Sequence, residues 1–203
     1  MVRSEPRIAA IVLAAGSSTR MGTNKLLADL DGKPLIRHGV EMLLTSNVYD
    51  VIVVTGNEAE DVRKALHSLD IAFVHNPKFA EGLSTSLKTG LNAVSLDTDG
   101  ALICLGDMPL VERRVIDQLV SSFNESAHHT VCVPTHEGVR GNPVLWGRQH
   151  FKPLGNLEGD RGGKRLIESL AKEIFEVAVS SKAILLDVDT PQALQEIKSI
   201  LKP

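Results

Sequence analysis

Residues 8–27 read IAAIVLAAGSSTRMGTNKLL, and the point where the apolar run gives way to small residues decides the fold. A near-continuous run of Ile, Val, Leu and Ala bounded by Gly and Ser fits a strand buried on both faces of a parallel sheet. The loop that follows leaves the strand's carboxyl end. Ala14, Ala15, Gly16, Ser17 and Ser18 carry little side chain, so their backbone N–H groups can approach an anion closely, and Arg20 and Lys25 add positive charge. Donors and cations in that combination suit a polyphosphate.

Two familiar phosphate loops are excluded by spacing. A P-loop has four residues between its glycines and Lys-Ser/Thr directly after; here Gly16 and Gly22 are separated by five, and Lys25 follows Thr23 and Asn24. The dinucleotide fingerprint GxGxxG fails because Ser18 stands where its second glycine belongs.

Working outward, residues 100–109 (GALICLGDMP) form the second landmark: an apolar strand delivers Gly106 and Asp107 to its carboxyl end, and Pro109 ends the pairing. In an open α/β sheet that edge binds ligands. A carboxylate beside a triphosphate is unfavourable unless a cation lies between them, and magnesium, which takes one or two carboxylates plus phosphate oxygens, answers that need. As a bare strand-end Asp, Asp107 reads equally as a helix cap.

The remaining segments alternate. Asp31-Gly32 marks a turn, and Pro34 begins a helix with Leu35, Ile36, Val40, Leu43 and Leu44 at helical spacing. Residues 50–56 predict a strand, 58–68 a helix, 71–74 a short strand, and 82–91 (GLSTSLKTGL) a loop entering a helix. Val115, Ile116, Leu119, Val120 and Phe123 mark an amphipathic covering helix. Strands follow at 131–134 and 174–179, and residues 184–190 (ILLDVDT) predict a strand ending in two carboxylates. Thr190 as N-cap and Pro191 at the first helical position start a final helix with Leu194, Ile197 and Leu201 inward. Strands alternating with helices imply right-handed crossovers and a Rossmann-like, doubly wound, mainly parallel sheet with helices on both faces. Length favours one domain over residues 1–203.

Residues 13–25, LAAGSSTRMGTNK, resemble the LAAGxSxRMGxxK opening of the nucleotidyltransferases that load cytidine or guanosine monophosphate onto the molybdenum cofactor. LGDMP resembles that family's metal-binding LxGDxP, GLSTSLKTGL its GMxxSLxxGL with Leu83 for Met, RGNPV its RGxPV and DVDTP its DxDTP. Residues 159–164, GDRGGK, resemble its GDxGAR, with Lys164 for an Arg; lysine keeps the charge and loses the planar fork, which Arg161 or Arg165 could supply. The resemblance implies the nucleotide-diphospho-sugar transferase type of fold and a site assembled from far-apart residues. Nucleotide binding would fall to Leu13, Ala14, Ala15, Gly16, Ser17, Ser18, Arg20, Lys25, Gly82, Ser84, Ser86 and Asp107, with Arg20, Lys25 and Asp107 catalytic. Arg140, Asn142, Pro143, Asp160, Gly162 and Lys164 would face the acceptor, and Asp107 and Asp189 would hold Mg2+. LAAG resembles the cytidylyl members, whereas guanylyl members show LAGG. The implied reaction moves CMP from CTP to the terminal phosphate of molybdopterin, with a downstream molybdoenzyme as partner.

Composition sets the outer bounds. A net charge of -3 and 3% aromatic residues argue against a nucleic-acid partner. The seven histidines show no HxH or HExxH spacing, and Cys104 and Cys132 each lie in an apolar run, as small buried hydrophobes of a reducing compartment do. No signal-peptide pattern opens the chain and no apolar run approaches the ~20 residues of a membrane span, so a cytoplasmic location is expected. Three alternatives stay open: a guanylyltransferase of the same family, a sugar-phosphate or alditol-phosphate nucleotidyltransferase, and a nucleotide-binding partner of a molybdoenzyme without turnover.

Overall fold

The structure is a computed structural model that describes residues 5–17, 22–124, 128–159, 166, 167, 170 and 173–201. The run at its start forms β1 (Ile8–Ala14), buried at every position. β1 pairs in parallel with β4 (Asp50–Thr55) on one side and β6 (Gly100–Leu105) on the other. β5 (Ala72–His75) extends the sheet beyond β4. Beyond β6 come β9 (Val144–Gly147), β7 (Val131–His136) and β10 (Ile174–Ala178), giving the order β10-β7-β9-β6-β1-β4-β5. Only β9 in that path runs antiparallel to its neighbours, and β8 (Val139–Arg140) folds back on β7 across a turn at Glu137 and Gly138, both at positive φ. Asp31 and Gly32, also at positive φ, make the expected turn, joining β2 (Asp29–Leu30) to β3 (Lys33–Pro34).

Alternation along the strands divides the core in two. Ala10, Val12 and Ala14 of β1 face a layer built from α1 (Leu35–Leu44), α2 (Ala59–Ala65), α4 (Arg113–Ser122) and α6 (Pro191–Leu201). Ala9, Ile11 and Leu13 face α3 (Leu83–Ala93) and α5 (Phe151–Gly155) on the other side. The sheet is thus covered on both faces, the doubly wound α/β arrangement its strand–helix rhythm implies.

Three local expectations change. Pro34 lies in β3 and occupies the N-cap of α1, so the helix begins one residue later, at Leu35. Leu44 and Leu201, the last apolar positions of α1 and α6, stay exposed because each helix outruns the surface it covers. Residues 184–190 are not a strand: a 3-10 turn, Lys182–Leu185, leads into an irregular segment that crosses the carboxyl edge of the sheet. The Val188 N–H donates to the Asp107 carbonyl at 3.0 Å, and the Asn142 N–H donates to the Ile184 carbonyl at 2.9 Å. The apolar letters there reflect burial of Ile184 and Val188 beneath this strap, while Leu185 between them is exposed. Thr190 does cap α6, its Oγ1 accepting from the Ala193 N–H at 3.2 Å.

Candidate active site

From β1 the chain turns toward β4, and from β6 it goes on to strands on the opposite side. The loops leaving β1 and β6 therefore diverge, and a crevice opens between them at the carboxyl edge, where open α/β sheets bind ligands. A cleft of about 450 Å³ lies there, lined by Leu13, Ala15, Gly16, Ser17, Lys25 and Asp107 among others. Gly82 and Ser86 close its far side, and the strap brings Asp189 to its rim. A second cleft of about 520 Å³ adjoins it and shares Leu13, Leu83 and Leu105 as a common wall. Arg140, Asn142, Trp146 and Ser84 line this second space.

Some residues singled out in the sequence stand elsewhere. Ala14 is fully buried and its side chain packs in the core on the α1 face, because successive strand side chains alternate. Pro143 lines an apolar gap beside Cys104 and Met108, away from the second cleft that Asn142 lines. Ser84 is buried and lines the second cleft rather than the first. The guanidinium of Arg140 is engaged by Glu176 at 2.7 Å. Ser18, Arg20, Asp160, Gly162 and Lys164 lie outside the described residues.

At the head of α3, Gly82 is the N-cap, with φ 116°, and offers no side chain of its own as a cap. Ser86 is held from behind: the Asn76 amide donates to its Oγ at 3.0 Å and to Thr85 Oγ1 at 2.8 Å. Asn76 and Phe79, the aromatic lining the cleft beside Ala15, belong to no motif read in the sequence; for Phe79 the available signal is an aromatic in a chain with 3% aromatic residues.

Charge concentrates at the other end. Lys25 Nζ lies 2.5 Å from Asp107 Oδ2 and 2.6 Å from Asp189 Oδ1, bridging residues 82 and 164 positions away. Asp187 joins them, so that one carboxylate oxygen from each of Asp107, Asp187 and Asp189 lies within 4.8 Å of the others. Burial pushes the Asp107 carboxyl above its ordinary pKa; Lys25 pulls against this, and the Asp187 charge adds to it. For Lys25, burial works against the ammonium, but its bonds to Asp107 and Asp189 outweigh it and hold the pKa above the usual lysine value. Among the described residues this cage has three carboxylates against one ammonium.

The cage fits a hard divalent cation. Among the described residues, Asp107 Oδ1 is buried without a hydrogen-bond partner. An all-oxygen carboxylate set suits Mg2+ or Mn2+ rather than a thiophilic metal.

A doubly wound sheet carrying a small-residue loop, a glycine-led helix start and clustered carboxylates at its switch point defines a nucleotide-handling α/β enzyme. Comparison narrows this class: the MobA-like NTP transferase domain matches residues 10–174, and the chain belongs to that family, an enzyme of the nucleotidyltransferase type. It is 26% identical over 182 residues to the molybdenum cofactor cytidylyltransferase of Escherichia coli strain K12, covering 89% of this chain and 90% of that one. A probable molybdenum cofactor guanylyltransferase of Thermococcus sibiricus is 35% identical over 125 residues, 61% of this chain and 60% of its own. Among solved structures, Rv0371c of Mycobacterium tuberculosis H37Rv superposes with a TM-score of 0.85 at 26% identity, over 97% of this chain and 100% of that one. Its complex with manganese superposes at 0.79 and 25% identity, over 95% and 98%. Among the described residues no helix is long and apolar enough to cross a membrane.

Proposed function

We propose that this enzyme transfers CMP from CTP to the terminal phosphate of molybdopterin, releasing pyrophosphate. The observation that carries the reading is the pair of adjoining clefts: one rimmed by the 15–17 loop, Lys25, Asp107 and Asp189, the other walled by Trp146 and Asn142, with Leu13, Leu83 and Leu105 between them. A nucleoside triphosphate in the first and a phosphate-bearing acceptor in the second would meet at that wall.

In the proposed reaction an acceptor phosphate oxygen bonds to the α-phosphorus as the bond to the bridging oxygen of pyrophosphate breaks. A phosphate monoester is already largely dianionic near neutral pH, its second pKa being about 6, so no general base is required. The backbone N–H groups of residues 15–18 would hold the phosphates, and Arg20 and Lys25 would offset their charge. Asp107 and Asp189, with Asp187 beside them, would hold Mg2+. That ion, when bound, would neutralise charge developing on the phosphate oxygens and help keep the nucleophile and leaving group in line. Arg140, Asn142, Asp160, Gly162 and Lys164 would face the acceptor, and the manganese complex of Rv0371c supports the use of a divalent ion.

Base choice rests on Ala15. Ala15 and Phe79 line the cleft side by side, a Cβ built on Gly56 lying 2.7 Å from the Cβ of each, so the Ala15 methyl takes space a larger base would use. That favours a pyrimidine over a purine. GTP is the second reading, favoured by the Thermococcus relative's name. We place the protein in the cytoplasm, consistent with two buried free thiols, and in service of a molybdoenzyme that uses the product. The test supplies each of the four triphosphates with Mg2+ and either molybdopterin or a panel of sugar phosphates, and follows pyrophosphate. Release with CTP and molybdopterin is expected; turnover of sugar phosphates alone would overturn the acceptor, and no release with any pair would overturn catalysis.

A further inference from the structure

Lys25 stands in a position that its proposed part in phosphate binding does not explain. Its ammonium bridges Asp107 and Asp189 at 2.5 and 2.6 Å, inside the cage read above as a metal site, although the same side chain lines the cleft in which the triphosphate would lie. A divalent ion bound to those oxygens at about 2.1 Å would occupy the space the ammonium now fills. Two cations cannot share it.

We infer that Lys25 is an internal counter-ion that holds the divalent cation's place between Asp107 and Asp189 and gives it up only when a triphosphate arrives to receive the ammonium. The inference rests on the metal-site reading in the preceding subsection. The anchoring of Lys25 suits such an exchange. Asn24 Oδ1 accepts from the Leu26 N–H at 3.1 Å, and Leu26 is buried, so the backbone at the start of the short 3-10 turn is fixed. The four-carbon stem beyond it is flexible and ends in a point charge, which can move between anions without a backbone change. The loop of residues 15–17 lines the same cleft, so phosphates held there lie along the path of that stem.

Electrostatics gives the exchange its direction. A metal entering alone must break the ammonium's two bonds to Asp107 and Asp189 and brings no anion to receive it, so free metal binds weakly. A metal entering with a triphosphate brings the anion that the released ammonium needs, so the two ligands bind cooperatively. Coupling of this kind is reciprocal: nucleotide must tighten the metal by the factor by which metal tightens the nucleotide. Lys25 is therefore a positioning residue for metal loading as well as a contact to phosphate.

The test measures Mn2+ binding by electron paramagnetic resonance, with and without a methylene-bridged CTP analogue, on the wild type, Lys25→Met and Lys25→Arg. The wild type is expected to bind Mn2+ at least tenfold more tightly with the analogue than without it. Lys25→Met should bind Mn2+ alone at least tenfold more tightly than the wild type and gain less from the analogue. Lys25→Arg, whose planar fork grips both carboxylates, should bind Mn2+ alone no better than the wild type. On the wild type itself, the rate of Lys25 acetylation read by peptide mass spectrometry should rise at least threefold in saturating Mn2+. This measurement decides the matter if Lys25→Met does not fold. Equal Mn2+ affinity in wild type and Lys25→Met, or acetylation unmoved by Mn2+, would overturn the exchange while leaving the metal site standing. Absence of Mn2+ binding to any form, even with the analogue, would overturn the metal site and the exchange together.

Discussion

Gly56 is the position where one added methyl group has the most legible consequence. A Cβ there would lie 2.7 Å from the Cβ atoms of Ala15 and Phe79 and 2.9 Å from the Ala15 carbonyl oxygen. Ordinary carbon contacts lie at about 3.5–4.0 Å, so the deficit is about 1 Å against atoms at the roots of their side chains, which cannot rotate away. The strand end and the 3-10 turn Phe79–Glu81 must therefore separate, carrying the 15–17 loop with one and the wall of the cleft with the other. Overpacking of this kind costs about 1–3 kcal/mol. For a chain of this size that corresponds to a fall of roughly 2–12 °C in Tm. Misplacing a phosphate loop by a fraction of an ångström should cost roughly ten- to a hundredfold in kcat/KM for CTP. Gly56→Ala is to be compared with the wild type by thermal melting and by pyrophosphate release over a range of CTP concentrations. A Tm within about 1 °C of the wild type together with kcat/KM within twofold would refute the packing argument.

Three further outcomes follow from the same geometry. Ala15→Gly removes the methyl beside Phe79 in the cleft and should move the GTP/CTP ratio of kcat/KM toward GTP by roughly tenfold, the worth of one methyl-sized change in a pocket; an unmoved ratio would take base selection away from this residue. Gly141→Ala would set a Cβ 2.4 Å from the Ile184 carbonyl oxygen and push the strap outward with Asp187 and Asp189, so half-maximal activity should need several-fold more Mg2+, whereas an unchanged requirement would detach the strap from the metal. His150, buried beside Thr130 Oγ1 at 3.0 Å, is held below its ordinary pKa of 6.5 by burial, with Glu173 opposing. Between the folded and unfolded pKa values the unfolded chain binds more protons, so stability is lost as pH falls below 6.5. His150→Gln should therefore lose less Tm than the wild type between about pH 7.5 and pH 5.5; equal losses would exclude this histidine as the cause.

Legibility in the sequence followed the range of the interactions. β1, β4 and β6 were plain because burial on both faces writes a continuous apolar run, and Gly106-Asp107 was plain because such a run stops at the edge where it stands. The antiparallel entry of β9 was not, since Val144–Gly147 carries the same apolar letters whichever way it runs. The segment at 184–190 looked like a strand because Ile184 and Val188 are buried, but nothing local says that their backbone bonds go to Asn142 and Asp107. The motifs point to Lys25, Asp107 and Asp189, which the structure brings together at one edge, and Asp187 is legible only as a neighbour of Asp189. That the ammonium bridges the carboxylates was out of reach, because the bond links residues 82 and 164 positions apart and depends on side-chain placement alone.

The account stands or falls on Asp107, the buried carboxylate whose Oδ1 has no hydrogen-bond partner among the described residues. The most direct measurement is the rate of pyrophosphate release from CTP, Mg2+ and molybdopterin by Asp107→Asn, with melting to show that the variant is folded. A loss of at least about a hundredfold in kcat is predicted, the usual cost of removing one contact that offsets charge in a transition state. A folded variant that releases pyrophosphate within threefold of the wild-type rate would contradict it.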